Sequence, residues 1–181
     1  MAMNHWVMDY ETLSNCFVGV FKHYKVNTYK TFVIHKLRDD SVEFIKFLKQ
    51  NIKNKEYHIS FNGIGFDSQV THNILKHHKD WKGMDPDGIT EEIYAYAQEA
   101  IRRSNNREFQ EFPEWNMKIN QIDVFKLNHW DNMAKRSSLK WIEYTMDWPN
   151  ILDMPIHHET PINTQEELNT IIEYCVNDVD A

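Results

Sequence analysis

Asp9 and Glu11 stand two residues apart in the stretch Trp6-Val7-Met8-Asp9-Tyr10-Glu11-Thr12. The stretch reads as a short buried strand, and alternate residues of a strand share a face. Two carboxylates side by side on an apolar strand repel each other unless something positive sits between them. A divalent cation meets that need, and hard oxygen ligands suit magnesium or manganese. Alone, the pattern is better matched by a strand end running into a polar loop. Two other segments offer carboxylates in comparable places. Asp67 closes the glycine-bearing turn Asn62-Gly63-Ile64-Gly65-Phe66-Asp67, between a predicted strand and a predicted helix. Strand ends of this kind are where α/β sheets place their ligands. Tyr174 and Asp178, four apart near the end of the chain, project from one face of a predicted helix.

The elements that must position these residues read as a layered α/β domain. Apolar runs at Trp6 to Met8, Cys16 to Phe21 and Asn27 to His35 predict three strands in an antiparallel meander. Val42, Ile45, Leu48 and Ile52 predict a helix capped by Asp40 or Ser41. Glu56 to Phe61 predicts a fourth strand, and Asp67 to His78 the helix after it. The segment from about residue 80 to 117 breaks the rhythm and reads as a helical insertion, with a helix from Thr90 that ends in Arg102, Arg103 and Arg107. Those arginines suit a solvated helix C-terminus, with a DNA-contacting lobe as the alternative. Lys118 to Leu127 predicts the next strand. Ser137 or Ser138 caps a helix, Met146 to Pro161 is a loop, and Thr164-Gln165-Glu166-Glu167 fits a capping box at the start of the last helix.

The 181-residue chain carries a formal net charge of −7. Such a chain is not built to coat a phosphate backbone nonspecifically, so a nucleic-acid partner needs a local groove or metal ions. Cys16 and Cys175 lack any metal-binding or disulfide spacing, and no signal peptide or membrane-spanning run is read. A cytoplasmic location is expected, the host cytoplasm if the chain is phage-encoded. The histidine pairs His77-His78 and His157-His158 read as surface residues. The tryptophans, among them Trp81, Trp115, Trp130, Trp141 and Trp148, are expected in the core, and Asp180 in solvent. Asp123, at a strand end, is expected at most to support the site.

Three motifs carry a resemblance. Asp9-Tyr10-Glu11, followed by Thr12, matches Asp-x-Glu; Asn62 to Asp67 matches Asn-x-x-x-(Phe/Tyr)-Asp; and Tyr174-Cys175-Val176-Asn177-Asp178 matches Tyr-x-x-x-Asp. In this order and spacing the chain resembles the 3′-to-5′ exonucleases of the DnaQ-like, ribonuclease-H-like superfamily. Glu173 stands where the histidine subgroup has its histidine, so the tyrosine (DEDDy) subgroup is the match, in the style of phage-type polymerase proofreading domains. The resemblance implies a ribonuclease-H-like fold with a central mixed five-stranded sheet flanked by helices.

It also implies two divalent cations, Mg2+ or Mn2+, held by Asp9, Glu11, Asp67 and Asp178. Asp9 would bridge them, Glu11 and Asp178 would hold the one that activates water, and Asp67 the one that steadies the departing 3′ oxygen. Tyr174 would orient the attacking water. Thr12, Leu13, Asn62 and Phe66 would contact substrate, with Leu13 wedged between the last bases, although Phe66 also suits a core position and Asn62 an ordinary turn. The implied partners are a single-stranded DNA 3′ end and a DNA polymerase region in cis or in trans, with no membrane. The alternatives are an RNA-trimming exonuclease and a non-catalytic nucleic-acid-binding or polymerase-scaffolding module.

Overall fold

The computed structural model describes residues 4–128, 130 and 137–181. Its centre is a mixed sheet of six strands in the order β4-β3-β2-β1-β5-β6. The strands are β1 (Trp6–Leu13), β2 (Cys16–His23), β3 (Tyr29–His35), β4 (Arg38–Asp39), β5 (Tyr57–Ser60) and β6 (Asn120–Asp123). The first four form the antiparallel meander, while β5 lies parallel to β1 and β6 parallel to β5. The sheet thus has one strand more than the five expected. The extra strand, β4, is two residues long, too short to leave a periodic signal.

Helices cover both faces, and the alternation of β1 decides which side chains face which layer. Trp6, Met8 and Tyr10 point into an aromatic-rich core with Phe17, Phe21 and Phe44. This core lies under α1 (Ser41–Asn54), α2 (Asp67–His77) and α3 (Pro86–Asn105), which contribute Leu48, Ile74 and Ile93 among others. The opposite face carries Val18, Val20 and Val33 against Leu168, Ile171 and Cys175 of α6 (Gln165–Asp180). Asp9 and Glu11 therefore fall on the α6 side. Tyr10 pairs with Gly19 across the sheet, and a Cβ on Gly19 would lie 3.0 Å from the Tyr10 ring, so a larger residue there would press on the ring.

Several boundaries differ from those read in the sequence. Helix α3 begins at Pro86 rather than Thr90, because Asp85 caps it by accepting from Gly88 N–H at 2.8 Å and proline suits the first helical position. Its Ile89, Ile93 and Ala97 belong to the first core. The strand expected over Lys118 to Leu127 stops at Asp123. The Asp123 carboxylate accepts from Phe125 N–H at 3.0 Å, and the chain turns into α4 (Val124–Asn128). Ser138 caps α5 (Leu139–Thr145), and the capping box at Thr164 and Glu167 is formed. In the structure Arg102 pairs with Glu99 and Glu108, and Arg103 with Glu99, while Arg107 lies past the end of α3.

The tryptophan expectation fails in part. Trp6 and Trp81 are buried, but Trp115, Trp130 and Trp141 are exposed. Asp180 is not simply solvent-facing: it accepts from Lys22 at 2.7 Å and from the Tyr29 hydroxyl, pinning the end of α6 to the sheet. Among the described residues no helix is long and apolar enough to cross a membrane.

Candidate functional site

The acids converge where β1 leaves its apolar stretch. After Val7, the α6-facing positions of β1 become Asp9 and Glu11, and α6 brings Asp178 to meet them. Asp9, Glu11 and Asp178 each offer a carboxylate oxygen within 4.8 Å of the other two. Asp67 is not part of this triad but lines the same pocket, of about 380 Å³, together with Asn62, Phe66 and the end of α3 at Ile101 and Ser104.

The electrostatics of the pocket follow from crowding acids in a dry place. Burial, then the charge of Asp178, raises the Asp9 carboxyl to about 7. Burial and the neighbouring Asp9 raise both Glu11 and Asp67 well above the usual carboxylate range. One Asp67 oxygen, Oδ1, is buried without a hydrogen-bond partner. Acids in this state need protons or cations, and their all-oxygen donor set suits a hard divalent ion. Neither histidine nor cysteine belongs to the group. The Cys175 thiol faces Asp9, with Sγ 3.4 Å from the Asp9 carbonyl oxygen, and burial keeps it protonated by raising its pKa.

Tyr174 sits one helical turn before Asp178 and is largely buried. Burial, then the charges of Asp178 and Glu11, pushes its phenol far above its ordinary value. It therefore stays protonated and available as a hydrogen-bond donor at neutral pH.

The middle turn is built with close tolerances. Asn62 adopts a left-handed φ of 60°, a conformation asparagine tolerates. A Cβ on Gly63 would lie 1.8 Å from Ser60 Oγ, so the residue after Asn62 must be glycine. Asp123 accepts from the backbone N–H groups of Asn62 at 2.9 Å and Ile64 at 3.2 Å, tying β6 to the turn that delivers Asp67. Its supporting role is thus mechanical.

Of the expected substrate contacts, Asn62 and Phe66 line the pocket, while Thr12 is almost wholly buried. Leu13 does not reach the pocket. It is fully buried in the second core with Cys16, Ile162 and Leu168. The reason is the loop before α6: Asn15 exchanges two hydrogen bonds of 2.8 Å with the Ile162 backbone and holds that loop over the β1–β2 turn.

Two functional candidates escaped the sequence reading. Lys140, in the first turn of α5, donates to Asp178 Oδ1 at 2.7 Å and lies 5.0 Å from the Tyr174 ring centre. Glu143, one turn later, is buried with neither oxygen hydrogen-bonded, and Lys140 Nζ is 3.5 Å away. A signal did exist: a lysine in the first turn of a helix opposes the helix dipole, and so calls for an acidic partner elsewhere. No family model, curated protein or solved structure matches the chain.

Proposed function

We propose that this protein is a metal-dependent 3′-to-5′ exonuclease of the DnaQ-like type, removing nucleotides from single-stranded or frayed DNA in the service of a DNA polymerase. The observation that carries this reading is the meeting of Asp9, Glu11 and Asp178 within 4.8 Å, in a pocket that Asp67 also lines. Their residue order along the chain and the adjoining tyrosine agree with the motif set of the tyrosine subgroup. A ribonuclease-H-like arrangement is compatible with the mixed sheet and its helices on both faces.

The acid donor set, with its raised carboxyls and the unpartnered Asp67 oxygen, fits two Mg2+ or Mn2+ ions held by Asp9, Glu11, Asp67 and Asp178. Bound there, such ions supply an activated water and charge stabilisation for the two oxygens of an in-line phosphodiester displacement. The protein's own groups do the rest. Tyr174, held protonated, donates a hydrogen bond that orients the attacking water rather than removing its proton. Lys140 offsets the charge of Asp178. Asn62 and Phe66, on the rim of the pocket, receive the terminal nucleotide.

A time course on a 5′-labelled oligonucleotide with a mismatched 3′ end, with and without magnesium or manganese, tests the proposal. A descending ladder that needs metal and disappears in Asp9→Ala and Asp178→Ala is expected. Unchanged digestion in both variants refutes the site. Faster digestion of matched RNA turns the reading to RNA trimming, and tight binding without any digestion turns it to a scaffold.

A further inference from the structure

A second cleft, of about 590 Å³, adjoins the carboxylate pocket, and Asn62 and Gly65 line both. Around it stand Phe109, Trp115 and Trp130, which are 95%, 85% and 83% exposed. Isolated apolar residues on a surface need no explanation, but large rings gathered on one cleft do. We propose that this cleft is a stacking platform for the unpaired bases of a nucleic-acid strand whose 3′ end lies among the carboxylates. The inference rests on the nuclease reading for the direction of the strand and goes beyond it in assigning Phe109 and Trp115 to binding.

Continuity with the carboxylate pocket identifies the occupant. Phe61 lines that pocket, Phe125 lines the cleft, and their rings meet edge to face at 5.5 Å. A strand leaving the acids past Asn62 therefore passes directly onto the aromatic side chains. Charge points the same way. The chain carries −7 overall, and within the cleft Lys126 is paired with Glu114 at 2.6 Å. Phosphates find little attraction here, whereas aromatic faces grip any unpaired base. A duplex, with its bases already stacked, has no face to offer.

The cleft wall is also held in register with the site. Gln69 of α2, fully buried, donates to the carbonyls of Ile64 and Phe112 at 2.9 and 2.8 Å and accepts from Phe112 N–H at 3.0 Å. One side chain thereby ties the turn that presents Asn62 and Gly65 to the segment that presents the rings.

Binding of a 5′-fluorescein single strand of about twelve nucleotides, followed by anisotropy in EDTA, separates this platform from the chemistry. The double variant Phe109→Ala/Trp115→Ala is expected to weaken binding by on the order of tenfold per ring removed. Both rings are exposed, so its melting temperature should stay as in the parent. Unchanged strand binding in the double variant overturns the platform, as does equally tight binding of a blunt duplex. Retained strand binding combined with lost association to a second protein also overturns it, and assigns the cleft to protein docking. Parent protein that binds the strand through these rings but digests nothing sinks the nuclease reading alone.

Discussion

The Lys140 ammonium donates to Asp178 Oδ1 across 2.7 Å and thereby fills one corner of the carboxylate cluster. A divalent ion held by the triad would compete with Lys140 for that oxygen. Glu143, 2% exposed and 3.5 Å from Nζ with both oxygens free of hydrogen bonds, gives the displaced ammonium somewhere to go. Lys140→Met should lower the stability of the metal-free protein by about 2 kcal/mol, because it strands two largely buried carboxylates. The same variant should bind magnesium more tightly than the parent, since the competitor is gone. Titration calorimetry measures the second effect, and weaker magnesium binding in the variant contradicts the competition.

Asp9 ties stability to pH in an unusual direction. Its folded pKa, about 7, lies above the ordinary 3.8, so the native state holds a proton that the unfolded chain has released. Stability from this group is greatest below about pH 4 and declines as pH rises through 7. Between pH 5 and pH 8 the metal-free protein should therefore lose melting temperature, apart from whatever other groups contribute. Saturating magnesium should flatten the decline, and loading it should release protons. Asp9→Asn removes the buried charge and should raise the metal-free melting point by roughly 4–8 °C at pH 8, about 2 kcal/mol, while abolishing activity. A lower melting point in that variant would count against the crowding of acids.

How far the sequence speaks for this architecture depends on the kind of signal. The meander, the Asp67 helix and the capping box at Thr164 rest on local patterns, namely alternation, turn chemistry and a four-residue cap, and all of them form. The acids of the first and last segments, Asp9 and Glu11 with Asp178, lie together. What local pattern cannot report is which distant backbone a side chain reaches. Asp123 reads as one more strand-end acid, and only the pairing of β6 with β5 turns it toward the amides of Asn62 and Ile64. Leu13 is hidden by a loop 150 residues downstream in sequence order, roughly, whose docking depends on Asn15. Trp115 and Phe109 look like core residues by type, yet both stand exposed on the segment after α3, where Phe112 alone turns its ring inward to His72 and Tyr96.

Tyr174 orients water in the proposed mechanism and does not titrate while doing so, because burial and the adjoining acids hold its phenol protonated. Tyr174→Phe should reduce kcat by about a hundredfold, within the range that positioned proton donors and acceptors contribute. Magnesium affinity, measured by calorimetry, should not change, because the phenol is not among the carboxylate ligands. The parent pH profile should also lack a falling alkaline limb below pH 10. Activity that instead rises with pH through about 9, and loses that rise in Tyr174→Phe, reassigns the tyrosine as a general base.

Asp123 offers the most direct test of how the middle turn is held. Its carboxylate accepts three backbone N–H bonds, from Asn62, Ile64 and Phe125, and it lies buried between β6 and the turn. Asp123→Ala leaves those donors without their acceptor and should cost about 3 kcal/mol of stability. Asp123→Asn keeps the shape and one carbonyl oxygen, so it should cost less. Because the turn carries Asp67 into the pocket, both variants should weaken magnesium binding in the same order as they lose stability, although neither touches a metal ligand. Chemical denaturation and calorimetry on the pair measure both effects. An alanine variant with reduced stability but parental magnesium affinity shows that Asp67 is held in place by α2 alone.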